Sequence, residues 1–188
     1  MPIEYEDAEQ QLLTIGHWNS TEAEFLRPLH AWGIELLVDV RAFPGSRRSP
    51  QFGKDVMPGW LEAAGIEYVH IPELGGRRGR QAVDPLLNAG WRSPSFKNYA
   101  DYTLSSSYEG GITQLTELAQ DARTTIMCSE PVPWRCHRLL ISNTLTARGW
   151  DVWHLIGDAQ PLKHVLSAWG AAALIHENGQ ITYPPTAP

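Results

Sequence analysis

Five short apolar runs recur along this chain, each followed by a stretch with helical spacing, and that alternation restricts the fold more than any other feature. L-L-T-I-G-H (12–17), I-E-L-L-V-D-V-R (34–41), I-E-Y-V-H-I-P (66–72), T-T-I-M-C (124–128) and W-D-V-W-H-L-I (150–156) read as strands. After the first, Asn19, Ser20 and Thr21 offer N-cap oxygens, and Glu22 and Glu24 suit the positive end of a helix dipole. That helix carries Phe25, Leu26, Leu29 and Trp32 inward and stops at Gly33. Further helices are expected over 57–64, 112–121 and 138–148, and near 162–173. A hairpin is expected around Asn178-Gly179. The stretch 81–107 mixes proline, glycine and aromatics and reads as loops with short helices, a lid or binding loop.

Strands alternating with helices specify an α/β fold. The expectation is a three-layer sandwich with a mostly parallel sheet of about five strands, plus a C-terminal helix and hairpin. Residues 1–11, with Glu4, Glu6, Asp7 and Glu9, form an acidic tail, and 12–188 make one α/β domain. In this architecture ligands bind beyond the carboxyl ends of the strands, near a topological switch point. The strand-ending residues are therefore the ones to inspect: His17 and Asn19, Asp39 and Arg41, His70 and Glu73, Cys128 and Glu130, and His154.

Composition removes several classes. With 43 % hydrophobic and 19 % charged residues the chain is neither disordered nor a charged coat. No apolar run approaches the roughly 20 residues that span a bilayer, and the acidic start is unlike a signal peptide, so no membrane partner is expected. Two cysteines cannot make a disulfide framework, which points to a reducing, cytoplasmic setting. The net charge of −6 argues against general nucleic-acid coating. Between Arg41 and Lys97, however, nine of the 15 basic residues face only five acidic ones. This segment is either a set of solvated arginines or a basic rim for an anionic ligand.

The stretch T-T-I-M-C-S-E-P-V-P-W-R-C-H-R carries the most chemistry. Cys128 closes a strand, a two-proline loop follows, and Cys136-His137-Arg138 opens a helix. A helix N-terminus presents unpaired N–H groups and partial positive charge, which bind anions and make a nearby thiol more acidic. Rhodanese-type and phosphatase-type enzymes use this layout, with a glycine-containing loop whose amides ring an oxyanion. Here Pro131 and Pro133 remove two of those donors, so the loop is expected to hold side chains instead, with Glu130 and Arg138 as the working groups. Three other readings of the cysteines stand beside this one. Cys128, Cys136 and His137 give three candidate zinc ligands, with His17 or His154 to add a fourth. Both cysteines also suit buried small hydrophobes, or a reversible Cys128–Cys136 pair.

Taken together, T-I-G-H-W-N, L-L-V-D-V-R, S-R-R-S-P-Q-F, Y-V-H-I-P-E-L-G-G-R-R and M-C-S-E-P-V-P-W-R-C-H-R resemble the successive motifs of the uncharacterised prokaryotic family catalogued as domain of unknown function 488. The resemblance runs from about Leu13 to Ile156; the family usually has a small residue where this chain has Trp18. It implies an intracellular protein and supplies no reaction. It also implies that His17, Asn19, Asp39, Arg41, Glu73, Cys128, Glu130, Cys136, His137 and Arg138 stand at motif positions.

The leading expectation is an enzyme acting on an anionic small molecule or nucleotide at the carboxyl edge of the sheet. Asn19, Arg41, Arg47, Arg48, Cys136 and Arg138 would bind the ligand, since guanidinium forks match phosphate and carboxylate. Cys128 would be the nucleophile, with His17 or His137 carrying the proton and Glu130 and Glu73 orienting or acting as acid and base. This makes a cysteine-dependent transferase or hydrolase that needs no cofactor. The alternative is a nucleic-acid or nucleotide binding protein without covalent chemistry, its bases stacking on Phe43, Phe52, Trp60, Tyr68, Trp91 and Phe96. A third reading gives Trp18 and Trp134 to an aromatic pocket or a self-association surface.

Overall fold

The computed structural model describes residues 10–45 and 47–186. Its elements in chain order are β1 (Gln11–Gly16), α1 (Glu22–Ala31), β2 (Leu36–Asp39), α2 (Met57–Ala63), β3 (Glu67–His70), α3 (Pro94–Tyr102), α4 (Ser106–Asp121), β4 (Thr124–Cys128), α5 (Arg138–Ala147), β5 (Asp151–Leu155), β6 (Leu162–Lys163), β7 (Leu174–Ile175) and β8 (Ile181–Thr182). Most of the expected acidic tail, residues 1–9, lies outside the described residues.

The first five strands are parallel, and β6 joins them antiparallel in the order β3-β2-β4-β1-β5-β6. Their side chains alternate between two cores, as the pleat requires. Leu13, Ile15, Leu37, Met127 and Leu155 face α1 and α2, packing on Phe25, Leu29, Met57 and Leu61. Leu12, Leu36, Val38, Ile126 and Val152 face α3, α4 and α5, packing on Tyr99, Tyr108, Ile112, Leu139 and Leu140. This is the three-layer α/β sandwich that the alternation of patterns specifies. Helix α1 starts in a full capping box, with Thr21 and Glu24 each satisfying the other's backbone N–H.

The order of strands places the switch point. From β1 the chain leaves over the α1 face towards β2; from its neighbour β4 it leaves over the opposite face, through α5, towards β5. The crevice between the carboxyl ends of β1 and β4 is therefore where ligands bind in folds of this kind.

One expected element is corrected. No helix covers 162–173: Leu162 and Lys163 pair with His154 and Trp153 as β6, and turns follow. Two left-handed residues, Ser167 (φ 63°) and Gly170 (φ 77°), break the helical path. Gly170 also lies against the indole of Trp91, where a Cβ would come within 2.3 Å of the ring. Tertiary packing overrides the local apolar spacing here. The hairpin is present as β7–β8, and 81–107 contains α3 and the start of α4.

Candidate functional site

Cys128, the last residue of β4, points to the α5 face of the sheet, where Cys136 and His137 lead into α5. Cys128 and Cys136 are free thiols, 8 % and 4 % exposed. His137 joins them: its Nδ1 lies 3.9 Å from Cys128 Sγ and 3.5 Å from Cys136 Sγ. Its Nε2–H donates to the Val40 carbonyl at 2.7 Å, which leaves Nδ1 as the ring nitrogen facing the sulfurs. Tyr99 packs edge-on to the ring, and Gly76 lies so close over it that a Cβ would come within 2.4 Å of Nδ1. The G-G of the E-L-G-G-R-R loop thus exists for close approach.

Arg138 is completely buried, and no carboxylate pairs with it among the described residues. Its backbone N–H and its Nε–H both donate to Cys136 Sγ, each at 3.4 Å. Its other donors go to the Glu130 carbonyl and, at 3.3 Å, to the Thr14 hydroxyl. A buried cation needs a counter-charge. Cys136 is the nearest group that can supply it: burial opposes ionisation, but the neighbouring Cys128 thiol and the Arg138 guanidinium and amide outweigh it and bring Cys136 down to about 6. The hydrogen bond to Cys136, burial and the Cys136 charge push Cys128 up to about 12. The acidity is therefore concentrated on the second cysteine of the motif, with Cys128 keeping its proton.

Behind Arg138 runs a buried chain of polar groups. Thr14 accepts from Arg138 and so donates to His154 Nδ1 at 2.8 Å; His154 Nε2–H donates to His164 Nδ1 at 3.0 Å. His164 Nε2–H donates to Asn143 Oδ1 at 2.8 Å, and Asn143 Nδ2–H to the Tyr183 hydroxyl at 2.9 Å. Every tautomer follows from the cation at one end and the amide at the other. Burial brings His154 down to about 3, with the nearby His164 and Arg138 adding to the effect, and His164 to about 4. The sequence marks His154 as a strand end but gives no sign of His164, because the expected helix over 162–173 hides it.

A pocket of about 240 Å³ opens over the two sulfurs, lined also by Arg41, Phe43, Arg77, Phe96, Tyr99, Glu130 and Arg135. Arg41 reaches it while bound to Asp39 at 2.6 Å, and Asp39 also accepts from Tyr68 at 2.7 Å. The remaining expected residues lie elsewhere. His17 falls on the opposite face of the sheet by pleat parity, stacked on Phe52 at 4.3 Å. Its Nδ1–H donates to the Trp18 carbonyl and its Nε2 accepts from Arg41 at 3.3 Å; burial brings it down to about 4. Asn19 lines a separate depression beside α1. Glu73 is exposed outside the pocket, as are Arg47 and Arg48. Arg77 and Tyr99 are pocket residues that nothing in the sequence singles out for a role.

Cys128, Cys136 and His137 also offer three ligand atoms within 4.8 Å of one another, enough for a metal ion completed from the pocket. Neither His17 nor His154 adds a fourth, because both ring nitrogens of each are already hydrogen-bonded. The buried Arg138 cation at 3.4 Å from Cys136 Sγ opposes a further dication at that sulfur.

The family model described as domain of unknown function DUF488 matches residues 21–145, about two thirds of the chain. This span is shorter than the motif resemblance and leaves out His17, Asn19 and β5. No curated protein and no solved structure matches the chain.

Proposed function

The chain belongs to the DUF488 family, and from that premise and the geometry of the pocket we propose a cysteine-dependent enzyme, a transferase or hydrolase, acting on a small anionic substrate. Cys136 is the nucleophile. Cys128 and His137 hold the proton that the leaving group takes. Arg41, Arg77 and Arg135 receive the anion, and Phe43, 73 % exposed with Arg77 over its ring, covers the uncharged part of the substrate. Glu130 lines the same wall and is the candidate for orienting a polar group.

One observation carries this reading: a completely buried arginine whose nearest anionic partner is a cysteine sulfur. An inert buried thiol would leave Arg138 without counter-charge, at a cost of several kcal/mol. Pocket size favours a small anion over a whole nucleotide, since about 240 Å³ is below the ~300–1,000 Å³ of drug-sized ligand sites.

The test is protection of Cys136 from iodoacetamide by inorganic phosphate and sulfate, in the wild type and in Arg77→Ala and Arg135→Ala. Saturable protection, weakened in both variants, is expected. Alkylation indifferent to either anion at low ionic strength overturns the anionic substrate.

A further inference from the structure

Two thiols facing the same pocket are more than a nucleophile needs. We propose that Cys128 and Cys136 are a two-electron redox pair that reduces a small hydroperoxide and closes to a disulfide across the pocket floor. The step rests on the proposed reading of Cys136 as the nucleophile, the sulfur that two Arg138 donors and the pocket single out. It goes beyond anion binding, since it gives Cys128 a bond-forming role.

The geometry permits closure. The sulfurs lie within 4.8 Å and have to approach by less than about 3 Å to reach the ~2.05 Å of a disulfide. The burial of both sulfurs selects the oxidant. At 4 % and 8 % exposed beneath a pocket of about 240 Å³, they are reached by a small molecule and not by another protein's disulfide.

The steps balance. Cys136 thiolate attacks the terminal oxygen of the hydroperoxide, the O–O bond breaks, and the alkoxide takes the proton of the Cys128 thiol and leaves as an alcohol. Cys136 is then a neutral sulfenic acid. Having given its proton to the alkoxide, Cys128 is left as a thiolate facing the sulfenic sulfur. It attacks, the S–S bond forms, and hydroxide leaves to take a proton from solvent. A dithiol reductant returns two electrons to reopen the pair. The order of attack is set by Arg138, which of the two sulfurs donates only to that of Cys136.

The test uses the full chain with one equivalent of cumene hydroperoxide at pH 7, followed by intact mass and a non-reducing peptide map. The wild type is expected to lose the mass of two hydrogens, to link Cys128 to Cys136, and to react at least ~10-fold faster than free cysteine, which is only a few per cent ionised at that pH. Cys128→Ser is expected to stop at a sulfenic acid on Cys136 that dimedone traps. Cys136→Ser is expected to be inert. A wild type that oxidises no faster than free cysteine, or goes to sulfinic acid without a Cys128–Cys136 link, overturns the redox pair. The pH profile of Cys136 alkylation separates the two failures: an acidic Cys136 with no disulfide sinks only the redox step, whereas an ordinary Cys136 sinks the thiolate beneath it.

Discussion

The guanidinium Nε of Arg138 lies 3.4 Å from the sulfur of Cys136, with the Arg138 amide at the same distance. Two N–H donors from one buried cationic residue converge on one sulfur, and that relationship decides which cysteine ionises. Arg138→Met removes charge and one donor while filling the volume. The midpoint of Cys136 alkylation is expected to rise from near 6 to above the ~8.5 of an ordinary thiol, read by mass spectrometry across pH.

Cys128, its sulfur within 4.8 Å of that of Cys136, also favours the ionised form of Cys136. Cys128→Ala is expected to raise the Cys136 midpoint, and Cys128→Ser, which keeps an O–H donor, to restore most of it. Equal midpoints in the two variants would show that Arg138 acts alone.

Three buried histidines make stability depend on pH. His17, His154 and His164 are held neutral to about 4, 3 and 4, below the value near 6.5 of the unfolded chain. Lowered folded values mean that the unfolded chain binds more protons between these limits, so stability is full above pH ~6.5 and falls as the solution is acidified towards pH 4. Each histidine adds up to about 1.4 kcal/mol per pH unit in that window. Urea melts from pH 7.5 to 4.5 are expected to show this slope, and His164→Asn to reduce it by roughly one proton.

The Asp39–Arg41 pair supports the pocket wall from the opposite face of the sheet. Asp39 accepts from Arg41 through both oxygens, at 2.9 and 2.6 Å, and from Tyr68. Asp39→Asn leaves Arg41 buried without its charge partner and is expected to cost about 3–5 kcal/mol in urea melts. A loss under 1 kcal/mol would mean that Arg41 turns out to solvent at little cost.

The five parallel strands were legible because buried strands write continuous apolar runs, and helix ends write caps such as Thr21 and Glu24. Cys128, Glu130, Cys136, His137 and Arg138 could be found from one contiguous motif. What the motif could not carry was the pleat. Strand-end residues look equivalent in sequence, yet parity sends Cys128 to one face and His17 and Asp39 to the other. The region after β5 departs from its sequence pattern for a different reason. Its apolar spacing suits a helix, but the antiparallel pairing of Leu162 with His154 and the packing of Gly170 on Trp91 depend on residues far away in the chain. His164, brought beside His154 by that pairing, was hidden with it.

Arg138, as counter-ion, makes Cys136 a thiolate at neutral pH. The most direct measurement is the rate of iodoacetamide alkylation of each cysteine from pH 5 to 10, resolved by peptide mass, with and without a chelator. A Cys136 midpoint near 6, a Cys128 that stays protonated throughout and no effect of chelator are expected. Two thiols with midpoints at or above ~8.5, or a Cys136 that reacts only once a chelator is added, would contradict it.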